Sequence, residues 1–95
     1  MYTISVTFRC LPGKREAFVE RVKAEGIRDA VLAEEGCHRY DYYFSEADPS
    51  ELLLIEAWET KHHQEVHIAQ PHMARLRSFK AEYIEETTLR EFELK

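Results

Sequence analysis

The first stretch of the chain, YTISVTFRCL, alternates. Ile4, Val6, Phe8 and Cys10 fall on one side, and Thr3, Ser5, Thr7 and Arg9 on the other. That period of two predicts a half-buried strand, which Pro12-Gly13-Lys14 ends. From Lys14 to about Ala33 the apolar spacing lengthens to that of a helix. Phe18, Val19 and Val22 form one stripe, and Ile27, Ala30 and Val31 continue it. The step from Val22 to Ile27 is five residues and contains Gly26, so a bend or slip is expected there. Gly36, closing Glu34-Glu35-Gly36, is expected to stop the helix.

Alternation returns in CHRYDYYFSE, residues 37–46. Tyr40, Tyr42 and Phe44 share one face, and Arg39, Asp41, Tyr43 and Ser45 the other. Ala47 to Ser50 (ADPS) reads as a turn. A third strand, ELLLIEAWE, follows at residues 51–59. It is apolar on both faces from Leu52 to Ile55, which predicts a central strand covered on both sides. Thr60 suits the N-cap of a short helix. Pro71 ends that helix near Ala69 or Gln70 and opens another at its first position. Met73, Leu76, Phe79 and Tyr83 then recur at helical spacing. The last segment, residues 84–95, alternates weakly and is charged. It predicts a fourth strand at an edge, or one reaching toward a partner subunit.

The order β-α-β-β-α-β defines an α+β, ferredoxin-like domain over residues 1–95, with an antiparallel sheet and helices on one face. The helices leave the other sheet face uncovered. A second copy packed sheet against sheet would cover it, so a homodimer is expected.

Charge narrows the partners. A net charge of -5 and a pI near 5.5 exclude an extended basic surface and hence a nucleic-acid partner. No apolar run reaches the length of a membrane span and no signal peptide opens the chain, so no membrane partner and a cytoplasmic location are expected. Cys10 and Cys37 lie in strand-like apolar segments, where reduced, inert thiols are expected.

The candidate chemistry is concentrated. Four of the five histidines fall in HHQEVHIAQPH, residues 62–72. His63 and His67 are four apart and share a helix face, a spacing that can hold zinc. The acidic residue Glu65, however, comes two positions after His63 rather than directly after it, and no second ligand pair lies nearby. A polar helix face is the simpler reading, and no metal is expected. Acid–base work fits better. His72 falls in the first turn of its helix, where the dipole disfavours an imidazolium. His67 lies near the end of the preceding helix. The break at Pro71 can turn both rings toward one cavity, with either as general base. On spacing alone the simpler reading comes first: His72 only hydrogen-bonds the loop and His67 caps carbonyls. Tyr40, Tyr42, Tyr43, Phe44 and Trp58 sit on neighbouring strands and either line a pocket for a planar ligand or fill an aromatic core. Trp58 and Tyr40 lead the first option. Nucleophile, phosphate-loop and dinucleotide motifs are missing, so no cofactor is expected.

The chain resembles the antibiotic biosynthesis monooxygenase family of dimeric α+β barrel proteins, and within it the quinol monooxygenase branch. The resemblance is carried by PGK after the first strand, by LAEEGCHRY (Leu32 to Tyr40) and above all by IEAWETKHHQEVHIAQPHM (Ile55 to Met73). It implies a dimeric barrel whose last strand reaches the neighbour, with a pocket between sheet and helices in each subunit. It also implies cofactor-independent oxidation of a small quinol-like or phenolic substrate by molecular oxygen. A base removes the hydroxyl proton, and the electron-rich anion reduces oxygen in a dry pocket. On that reading His67 or His72 is the base, Trp58, Tyr40 and Tyr42 line the substrate pocket, and His63 stands at its rim. The haem-degrading branch relies on an asparagine in the first strand and a later helical histidine. This chain has no asparagine, and MARLRSF has no histidine. Two alternatives remain: an isomerase of a small carbonyl or phosphorylated signalling metabolite using the same histidines, and a small-molecule-binding dimer without catalysis.

Overall fold

The alternating and helical stretches resolve into eight elements. In chain order they are β1 (Tyr2–Cys10), α1 (Arg15–Ala24), α2 (Ile27–Leu32), β2 (Cys37–Phe44), β3 (Glu51–Trp58), α3 (Lys61–Ile68), α4 (Pro71–Lys80) and β4 (Ile84–Glu93). The structure, a computed structural model, describes residues 1–93; the last two positions of the expected fourth strand lie outside them. All strand pairs are antiparallel and the sheet order is β2-β3-β1-β4. This is the ferredoxin-like order, with each crossover helix in two pieces.

Register explains which residues meet. Residues directly opposite in an antiparallel pair point to the same face. Ile4, Val6 and Phe8 of β1 stand opposite Glu56, Leu54 and Leu52 of β3. Tyr40 and Tyr42 of β2 stand opposite the same Glu56 and Leu54. One face therefore collects these side chains and Trp58. The helices cover it with Phe18, Val22, Ile27, Val31, Met73, Leu76 and Phe79 to make the core. Glu56 is a buried carboxylate within this otherwise apolar layer. As expected, β3 is interior, between β2 and β1, and β4 is an edge. The open face carries Leu53 and Ile55, half-buried, beside Ser5 and Thr7.

Two expectations need correction. The helix over residues 14–33 is broken rather than bent. Gly26 adopts φ 72°, a left-handed conformation, and separates α1 from α2. Gly36 does not cap a helix, because α2 already ends at Leu32. It stands just before β2 at φ 80°, and its carbonyl accepts the Glu59 N–H at 2.8 Å. Thr60 does cap α3, its hydroxyl accepting the His63 N–H at 3.3 Å, and Pro71 opens α4. Both cysteines are free thiols. Among the described residues no helix is long and apolar enough to cross a membrane.

The two glycines separate two costs. A Cβ at Gly26 would meet nothing within 4 Å, whereas one at Gly36 would lie 2.5 Å from the His63 ring. Gly26→Ala is expected to cost about 1 kcal/mol, the penalty of the left-handed backbone alone. Gly36→Ala should cost about 3 kcal/mol, because His63 must also move. Urea unfolding of the two variants checks the ranking; equal losses contradict it.

Candidate active site

Between the sheet and the last helix lies a cavity of about 180 Å³. Val6, Phe8, Leu54, Tyr40 and Tyr42 line it from the sheet, Met73 and Leu76 from α4. Arg77, Lys80, Ile68, Leu89 and Glu56 also line it. Leu89 is 53% exposed on β4, so the mouth has an apolar lip. Tyr42 Oη is buried without a well-formed hydrogen bond, and a ligand oxygen in the cavity would satisfy it. Burial pushes the hydroxyls of Tyr40 and Tyr42 well above their ordinary range, so both remain neutral donors. Burial also lowers the ammonium pKa of Lys80, which lies 5.4 Å from the centre of the Phe8 ring.

Glu56 is the centre of the site. β3 points it inward by strand parity, between Leu54 and Trp58, and it is 6% exposed. The Trp58 indole N–H donates to Oε1 at 3.1 Å. Burial pushes the carboxyl up from 4.5 to about 7, the indole hydrogen bond opposes the shift, and the charge on Glu34 adds to it. A carboxyl poised near neutrality can take and give a proton at working pH.

Behind Glu56 stands His67, 1% exposed. Its ring lies 4.6 Å from Trp58 and 5.8 Å from Tyr40, centre to centre. Nε2 faces Glu56 Oε1 at 3.7 Å, while Nδ1 donates to Glu34 Oε2 at 2.8 Å. Burial lowers the His67 pKa, against the pull of the Glu34 hydrogen bond. The ring is therefore neutral, with its proton on Nδ1 and a lone pair toward Glu56. His72 Nε2 donates to the same Glu34 oxygen at 2.7 Å.

The two rings do meet, 6.5 Å apart. What they share is the Glu34 carboxylate, not the cavity: the carboxyl on the cavity wall is Glu56. Tyr40 and Tyr42 line the cavity, and Trp58 supports it through Glu56. His63 is elsewhere. Its ring packs over Gly36, and Nδ1 lies 2.8 Å from the Thr60 hydroxyl. It borders an outer groove with Glu34, Glu35, His62, Val66 and Gln70. Glu34, His67 and His72 bring three ligand atoms within 4.8 Å of one another, the makeup of a two-histidine, one-carboxylate metal centre. Their spacing is that of hydrogen bonds, with two imidazole N–H groups on one oxygen. Sequence reasoning missed Glu34 and Glu56. Glu56 had a signal, a carboxylate at an inward strand position; Glu34 had none.

An antiparallel sheet with helices on one face, and between them a cavity lined by a buried carboxyl, defines a small ferredoxin-like α+β protein. The chain belongs to the antibiotic biosynthesis monooxygenase family, whose model matches residues 1–78. It is 34% identical to the "Probable quinol monooxygenase YgiN" of Escherichia coli over 83 residues, covering 77% of this chain and 78% of that protein. The solved structure of "Putative antibiotic biosynthesis monooxygenase from Nitrosomonas europaea" superposes with a TM-score of 0.87 at 26% identity, covering 98% of this chain and 97% of that one. PA3566 from Pseudomonas aeruginosa shares the fold, with a TM-score of 0.83 at 22% identity over 99% and 93% of the two chains.

The raised Glu56 pKa fixes a sign. The folded state holds this proton more tightly than the unfolded chain does. Its contribution therefore falls as pH rises from about 4.5 through about 7. Glu56→Gln is neutral throughout and keeps an acceptor for Trp58. It should match the wild type at pH 4 and exceed it by about 3 kcal/mol at pH 8. Urea unfolding at the two pH values tests this; a difference that does not change with pH contradicts it.

Proposed function

We propose that this protein is a monooxygenase of a small quinol-like or phenolic substrate, using molecular oxygen and no bound cofactor. The observation that carries the reading is Glu56: a buried carboxyl with a pKa of about 7 on the wall of an otherwise largely apolar cavity. Membership of the monooxygenase family and the likeness to a quinol monooxygenase relative support it.

The ring of the substrate lies among Phe8, Leu54, Met73 and the tyrosines. Its hydroxyl reaches Glu56, which takes the proton with His67 behind it. The resulting anion is a far better electron donor than the neutral phenol and passes an electron to oxygen. Tyr42 offers a hydrogen bond to the oxygen that bears charge. The balance closes without an external reductant. A quinol and one O2 give a hydroxyquinone and one water, the four electrons coming from the substrate. His67 and His72 act on the proton through Glu56 and Glu34, and His63 stands outside the cavity.

The functional unit is a homodimer in this reading, the two open faces meeting at Leu53 and Ile55 to close a barrel. A sedimentation mass twice that of the 11.3 kDa chain checks this, and a monomer contradicts it. Proton transfer next to a carbonyl, as in an isomerase, would use the same Glu56 and His67.

Oxygen uptake with a panel of quinols separates these readings. Uptake above the uncatalysed rate, unchanged by chelator, is expected, and Glu56→Gln should lower kcat by about 100-fold. Hydrogen exchange from deuterated water without oxygen uptake would favour the isomerase. Ligand-induced thermal stabilisation with neither reaction would leave only a binding protein.

A further inference from the structure

A proton accepted by Glu56 has two ways out: the cavity mouth, past Arg77 and Lys80, or His67 behind the carboxyl. On the other side of His67 a groove of about 460 Å³ lies open, bordered by Glu34, His62 and His63. Glu56 lines the cavity and Glu34 lines the groove. His67 lines neither and is buried between them. Nε2 lies 3.7 Å from Glu56 and Nδ1 lies 2.8 Å from Glu34.

We propose that His67 is a two-sided proton conduit joining the cavity to the outer groove, with Glu34 as its outlet and His72 as the positioning residue that holds Glu34. The proposal rests on the function argued above only for what supplies the proton. In the outward step Glu56 closes the 3.7 Å gap to hydrogen-bond His67 Nε2 and gives it a proton as the Nδ1 proton passes to Glu34, which releases it to water in the groove. Only protons move. The step leaves His67 as the Nε2–H tautomer. Return of one proton by the same path, to the reduced oxygen in the cavity, restores Nδ1–H. A substrate seated over the cavity mouth can then cover it while protons cross behind.

The geometry suits this role better than a structural one. A histidine that only fills space needs no polar partner on two opposite sides. The groups facing His67 are Glu34 from the turn after α2, Glu56 from β3, Tyr40 from β2, and His72 and Arg77 from α4. The two carboxylates lie at opposite nitrogens of the ring. His72 adds its own N–H to the Glu34 oxygen that His67 uses, which keeps that oxygen on the ring and does not let it swing into solvent.

Nitrogen-15 NMR of the histidine rings in the intact protein tests this without a substrate. The wild type should show His67 as the Nδ1–H tautomer, with its ring proton exchanging measurably with water. Glu34→Gln can still accept the hydrogen bond but cannot carry the proton. It should keep the tautomer and slow that exchange by about tenfold. His72→Phe should slow it less, since the outlet remains but is no longer held. Exchange that is unchanged or faster in Glu34→Gln overturns the conduit, as does an Nε2–H tautomer in the wild type. Tight zinc or nickel binding that shifts both His67 and His72 would make the trio a metal centre and overturn it too. Where a quinol is turned over, Glu34→Gln should lower kcat with KM unchanged and increase the solvent isotope effect. If no substrate is turned over, the functional reading fails while the exchange rates still decide the conduit.

Discussion

The burial of one carboxyl, Glu56, sets the terms for the rest of the site. Strand parity turns it inward between Leu54 and Trp58, into the layer where β1, β2 and α4 supply apolar side chains. An ionised carboxylate there is costly, and the protein offers it little relief: one indole N–H and a neutral imidazole beyond hydrogen-bond length. The carboxyl answers by holding its proton to about pH 7. Stability is given up at that point, which is the usual mark of a group kept for chemistry.

The surroundings make sense as ways of holding that arrangement. The break at Pro71 ends α3 just after His67 and starts α4 just before His72, so the two rings converge where a continuous helix would separate them. The end of α2 at Leu32 leaves Glu34 in a turn, free to reach both rings. Trp58 does two things at once: its ring packs on His67 and its N–H fixes the Glu56 carboxyl. Trp58 is buried beneath the site, and Tyr40 and Tyr42 supply the aromatic wall.

The fold was largely legible in the chain because its signals are local. Alternation in YTISVTFRC, the apolar run of β3, the Thr60 cap and Pro71 each act within a few residues. The break at Gly26 was visible as a slip in the apolar stripe, though not as a complete interruption. The site was legible in part. Of the clustered histidines, His67 lies behind Glu56, while Tyr40 and Tyr42 line the cavity in front of it. Glu34 was not legible, since its role depends on α2 stopping four residues before Gly36 and on two helices more than 30 residues away. Glu56 carries a signal of its own, an acidic residue at an inward position of a central strand.

The central claim is that Glu56 is a neutral-range acid–base group, and its pKa can be read directly. Carbon-13 NMR of the Glu56 side-chain carboxyl, followed from pH 4 to 9, should show a midpoint near 7, with a coupled response in the His67 ring. A midpoint at the ordinary 4.5 would mean that the carboxyl is well solvated and ionised, and would contradict the account.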